Sequence, residues 1–123
     1  MLSKQATLVG AVALAGLTAI LVTSTKAVAQ QRQAITGIDK IHAQARAGSK
    51  VCMVRHKHGG EGTMPSEQGA EAAAIRAWQV FTADEYGTAW GEYEMAAAKT
   101  MRCTEAAGAW TCQTTARPCR AAR

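Results

Sequence analysis

Four cysteines, Cys52, Cys103, Cys112 and Cys119, follow an N-terminal segment laid out like an export signal. Lys4 supplies its charged start, Ala6 to Val22 is an almost unbroken apolar run, and Ala27-Val28-Ala29 offers the small residues that signal peptidase reads. Cleavage near Ala29-Gln30 is the expectation, which places the mature chain in the periplasm or the medium, where thiols pair. The alternative is a retained anchor, because a run of about 17 apolar residues sits at the lower limit for spanning a bilayer. Thr18, Thr23, Ser24 and Thr25 dilute its end, so no stable membrane span is expected after cleavage. An even cysteine count in a short exported chain argues for two disulfides, with three connectivities open. So small a domain buries too little apolar surface for comfortable stability, and crosslinks compensate.

Cleavage removes Lys4 and Lys26 and takes the formal net charge from +5 to about +3. That excess suits an envelope protein or an anionic surface as partner, and is too small to indicate nucleic acid. The cysteines make no C-x-x-C, which leaves thioredoxin-type redox chemistry and c-type haem unsupported. There is no phosphate loop, no nucleophile elbow and no zinc-hydrolase signature. The chain therefore reads as non-enzymatic, with no cofactor.

Residues 30–50 are polar and alanine-rich, and read as a flexible or short helical arm; Ile35, Ile38 and Ile41 recur at helical spacing. Val51-Cys52-Met53-Val54 reads as a strand. His58-Gly59-Gly60-Glu61-Gly62 then reads as a mobile, exposed loop. Ser66 is placed to cap a helix, with Glu67 in its first turn. Ala70, Ala74, Ile75, Trp78, Val80 and Phe81 supply an apolar side. Gly87 interrupts the run, and Thr88 starts a second helical stretch through Trp90, Tyr93, Ala96 and Ala97.

The last third changes period. Met101, Cys103 and Glu105, then Trp110, Cys112 and Thr114, alternate around Ala107-Gly108, the pattern of a β-hairpin. Pro118 ends the second strand. A two-residue turn at Ala107-Gly108 sets residue 103 opposite 112 at a non-hydrogen-bonded site, where Cα atoms come within disulfide range. Cys103–Cys112 is thus the preferred bridge, leaving Cys52–Cys119. The expected fold is α+β: a strand near 51–55, a helical region at about 67–99 and a hairpin at about 100–117. In β-α-β-β order these make one antiparallel sheet covered by helix on one face, in a domain spanning 51–123.

Candidate site residues are few. Cys52-x3-His56-x-His58 has metal-ligand chemistry: imidazole suits copper or zinc, and alternate strand residues face the same way. Cys52 is expected to be spent in a disulfide, leaving His56 and His58 as a weak site or as two solvated histidines. Asp84-Glu85 and Glu92/Glu94 read as a solvated face. The aromatics Trp78, Phe81, Tyr86, Trp90, Tyr93 and Trp110 read as core, with Tyr86 and Tyr93 the ones expected to reach the surface. Arg55, Lys57, Arg117 and Arg120 are the remaining expected surface contacts, the last two on a frayed tail.

The stretch from Ala73 onward, through Trp78, Tyr86, Gly87, Trp90, Tyr93, Ala97, Cys103, Trp110, Cys112, Ala116, Pro118, Cys119 and Arg120, resembles small exported proteins of Gram-negative bacteria with no assigned activity. The resemblance covers roughly 48 residues and implies an exported helix-plus-hairpin module. It implies no catalytic or binding residue, and 30–65, with both histidines, lies outside it. The leading expectation is a non-enzymatic binding or structural module of the periplasm or envelope; the second is a weak copper or zinc binder using His56 and His58.

Overall fold

The computed structural model describes residues 35–123; the leader and the cleavage position lie outside the described residues. One helix, α1 (Glu67–Tyr86), packs with two three-stranded antiparallel sheets. The strands are β1 (Gln44–Ala47), β2 (Lys50–Met53), β3 (His58–Met64), β4 (Ala97–Ala106), β5 (Ala109–Arg117) and β6 (Cys119–Ala121). One sheet runs β1-β2-β6 and the other β3-β5-β4. Short 3-10 turns occur at Ile38–Ile41 and Tyr93–Met95. No helix among the described residues is long and apolar enough to cross a membrane.

The hairpin follows its turn chemistry. Ala106 pairs with Ala109 across Ala107 (φ 52°) and Gly108 (φ 76°), two left-handed residues of the kind a type I′ turn needs. The register sets Cys103 opposite Cys112, and the two are bonded. Cys52 lies opposite Cys119 across β2 and β6 and is bonded to it. Both pairings match the expectation. Pro118 separates β5 from β6, so the tail is a paired strand rather than a frayed end.

The helix begins where expected. Ser66 Oγ accepts from the Gly69 N–H at 3.2 Å, and Gly87 (φ 104°) ends α1. Beyond Gly87 the expected second helix does not form; the chain turns, runs through one 3-10 turn and enters β4. Gly91 sits against α1 here, where an added Cβ would fall 2.9 Å from Ala83 Cβ and Gln79 O. Gly91 is thus a packing contact inside a chain reversal.

The largest departure is β3. Its glycines read as a loop, yet alternation turns His58, Gly60, Gly62 and Met64 toward α1. A Cβ on Gly60 would lie 2.2 Å from Ala74 O, and one on Gly62 2.4 Å from Ala73 Cβ. Two strand residues advance about 6.6 Å and four helical residues about 6 Å, so helix and strand stay in step. Gly62 meets Ala70 and Ala74, Gly60 meets Ala74 and Trp78, and His58 meets Thr82. β3, not the strand near 51–55, joins the hairpin; β2 pairs instead with β1 and β6, and the expected single sheet is two. The arm around 44–47 is likewise a strand, β1, turning into β2 at Gly48 (φ 62°).

Most aromatics are core. Trp78, Tyr93, Ala96 and Ala116 form one cluster; Met53, Tyr86 and Trp90 a second; Ala70, Ala74 and Cys112, flanked by Trp110, a third. The expectation that Tyr86 and Tyr93 reach the surface is corrected: both are buried, and the Tyr93 hydroxyl lies 2.6 Å from Thr114 Oγ1. Val80 and Phe81 are instead about half exposed, and the Phe81 ring lies 4.7 Å from that of His58 at the start of β3.

Gly60→Ala is expected to lower unfolding free energy by about 3 kcal/mol or more. Gly59, whose added Cβ would come no nearer than 3.7 Å to anything, should tolerate alanine within about 1 kcal/mol. Urea unfolding measures both, and equal effects would contradict direct seating of helix on strand.

Candidate functional site

All three histidines of the chain gather around one tyrosine. The rings of His42, His56 and His58 lie 5.4, 5.8 and 5.0 Å from that of Tyr86. His42 is 4.6 Å from His56, and His56 is 4.8 Å from His58. Three segments bring them together. The first residue of β3 carries His58, and the link from β2 carries His56. The 3-10 turn before β1 delivers His42, and that stretch is tied to the end of α1: Thr36 donates through N–H to Tyr86 O (3.0 Å) and through Oγ1 to Glu85 O (2.7 Å). These are carbonyls a helix end leaves without intrahelical partners.

The fourth polar group is Glu85, in the last turn of α1. Its Oε2 lies 3.1 Å from His58 Nε2, with the glutamate side chain 29% and the histidine side chain 1% exposed. The solvated face expected for Asp84-Glu85 is corrected for Glu85, and solvated histidines for His58. The position is electrostatically unfavourable by itself. Asp84 and Glu85 occupy the negative end of the helix dipole, with no basic residue in that turn.

His58 is held at one ring nitrogen. Nδ1 is 2.8 Å from Thr82 Oγ1. Nε2 has no partner at hydrogen-bond geometry despite the nearby carboxylate, so Glu85 approaches off the N–H axis. We assign the ring proton to Nδ1, donated to Thr82, because a buried Nε2–H without an acceptor would cost about 1–3 kcal/mol. Burial pushes the His58 pKa down to about 4; Glu85 opposes the shift, and His56 and His42 add to it. A neutral imidazole thus sets its Nε2 lone pair beside a carboxylate, off the line between the two atoms. Burial, with the Glu85 carboxylate beside it, pushes the Tyr86 phenol well above its ordinary value, so it stays protonated.

The ligating atoms of His56, His58 and Glu85 all lie within 4.8 Å of one another. Two donors on one tetrahedral zinc stand roughly 3.3–3.5 Å apart, each off the other's axis. The Nε2–Oε2 pair is close to that spacing. Glu67, Glu71 and Cys103 form another such grouping among the described residues, but the Cys103 sulfur is committed to its disulfide. A larger depression, about 420 Å³, lies beside Gly59, Glu61, Gln113 and Thr115; its one acidic side chain, Glu61, accepts a hydrogen bond from Gln113 at 2.5 Å.

The histidine motif thus identifies two of the clustered groups, His56 and His58, and misses His42, Thr82, Glu85 and Tyr86. Of the other expected contacts, Arg55 and Lys57 are exposed near the cluster. Arg117, at the end of β5, and Arg120, in β6, are half-buried, with Arg120 5.1 Å over the Trp90 ring. Comparisons with known protein families, with curated proteins and with solved structures return no match.

The unfolded histidine takes a proton below pH 6.5, whereas folded His58 does so only near pH 4. Acid therefore favours the unfolded chain through this window. Chelator-treated protein should lose up to about 3 kcal/mol of stability between pH 6.5 and 4, a contribution present in full above 6.5. Urea melts compared with His58→Gln isolate it, and identical pH profiles for the two proteins would refute the assignment.

Proposed function

We propose that this chain works outside the cytosol as a small metal-binding module, holding one zinc or copper ion through His56, His58 and Glu85. The observation that carries the reading is the buried Nε2 of His58, without a hydrogen-bond partner and 3.1 Å from the Glu85 carboxylate. A cation placed between them converts two mutually repelling donors into ligands, and relieves the negative charge at the end of α1. Two imidazoles and a carboxylate are a donor set that zinc takes, and imidazole also suits copper. Thr82 fixes the ring as an outer-shell partner does in metal sites. The carboxylate, contributed by a separate element, moves metal binding ahead of the purely structural role that sequence alone favours.

Competition titration of the chelator-treated full chain should show one zinc or copper bound per chain and a raised melting temperature. His56→Ala and Glu85→Gln touch half-exposed positions, so both variants should fold, and each should lower affinity at least about tenfold. Stoichiometric binding unaffected by either variant, or no binding at all, would overturn the reading. The extracellular setting has its own check. Mass spectrometry of native material should find an N-terminus near Gln30 and no free thiol; an intact leader with four reduced cysteines would contradict it.

A further inference from the structure

Zinc commonly takes four donors, and His56, His58 and Glu85 supply three. His42 stands nearby, but none of its nitrogens belongs to the set within 4.8 Å. Its backbone is pinned on both sides: the His42 N–H donates to Asp39 O at 3.2 Å, and Ala43 O accepts from the Val54 N–H at 2.8 Å. Beside His56 opens a cavity of about 180 Å³ bounded by Ile41, His42, Ala43 and Arg55. It suits a small ion and is too small for a drug-sized ligand.

Charge decides what belongs there. A divalent ion with two neutral imidazoles and one carboxylate keeps one net positive charge, and Arg55 and Lys57 add to it. Resting on the metal reading above, we infer that the bound ion keeps its fourth coordination position for a small anion of carboxylate or bicarbonate size, seated in this cavity against Arg55 and His42. Arg55 offers the planar fork that matches a carboxylate, and His42, which also lines the cavity, offers a ring nitrogen. The module is then a receptor for an anion that binds only when metal is present, rather than a closed structural site.

Cobalt(II) loaded into the full chain gives a visible spectrum that reports its coordination. Titration with sodium acetate, and separately with sodium azide, should change that spectrum saturably. Arg55→Ala and His42→Ala should each weaken anion binding by about fivefold while leaving cobalt affinity within about twofold. A spectrum that stays fixed while cobalt remains bound would overturn the anion site and leave the metal reading standing. So would a loss of cobalt affinity of about tenfold or more in His42→Ala, because His42 would then be the fourth ligand. Failure of the chain to take up cobalt, zinc or copper would remove both proposals together.

Discussion

The seating of α1 directly on β3 is the constraint from which the rest of the molecule follows. With no side chain at Gly60 or Gly62, helix backbone and strand backbone come nearly into contact, and alanines 70, 73 and 74 complete the fit. Interiors are packed to the density of organic crystals, so such a contact leaves little latitude in register. Once Gly60 and Gly62 are in place, the next inward residue of β3 must fall under the last turns of the helix. That residue is His58, and Thr82 and Glu85 are what it meets. The His58–Glu85 pair is thus a by-product of helix–strand register, and His56 is added to it from the link after β2.

The two disulfides divide the remaining work. Cys103–Cys112 closes a hairpin already specified by its turn, and its inner sulfur, on Cys112, joins the core under α1. Cys52–Cys119 spans 67 residues and ties β2 to the C-terminal strand β6 within the first sheet. On the chain-entropy account the short loop contributes about 3 kcal/mol and the long one about 4 kcal/mol. For a domain whose core is three small clusters, that is a large share of ordinary net stability.

What could be read from the residues was what depends on near neighbours. The hairpin, its register and both disulfide pairings follow from Ala107-Gly108 and the alternation around it; the helix start and stop follow from Ser66 and Gly87. β3 was illegible because Gly59, Gly60 and Gly62 carry the composition of a loop, while the reason for two of them lies in a helix that follows in the chain. β1, with Gln44-Ala45-Arg46-Ala47, has no β-branched residue and forms through its pairing with β2. The false second helix came from reading Trp90 and Tyr93 at helical spacing, when each is buried by packing on a different cluster. His56 and His58 were visible through their spacing. Glu85 and His42 were not, because only the fold brings them near; the one available hint was that an abrupt helix end at Gly87 must deliver Glu85 somewhere specific.

The long crosslink has a temporal consequence. His56, His58 and Glu85 all lie between Cys52 and Cys119, inside the ring that this bond closes. In a reducing compartment the ring is open, and much of the free energy that assembles the three groups is missing. If the chain binds metal as proposed, closing this ring by oxidation would precede metal binding.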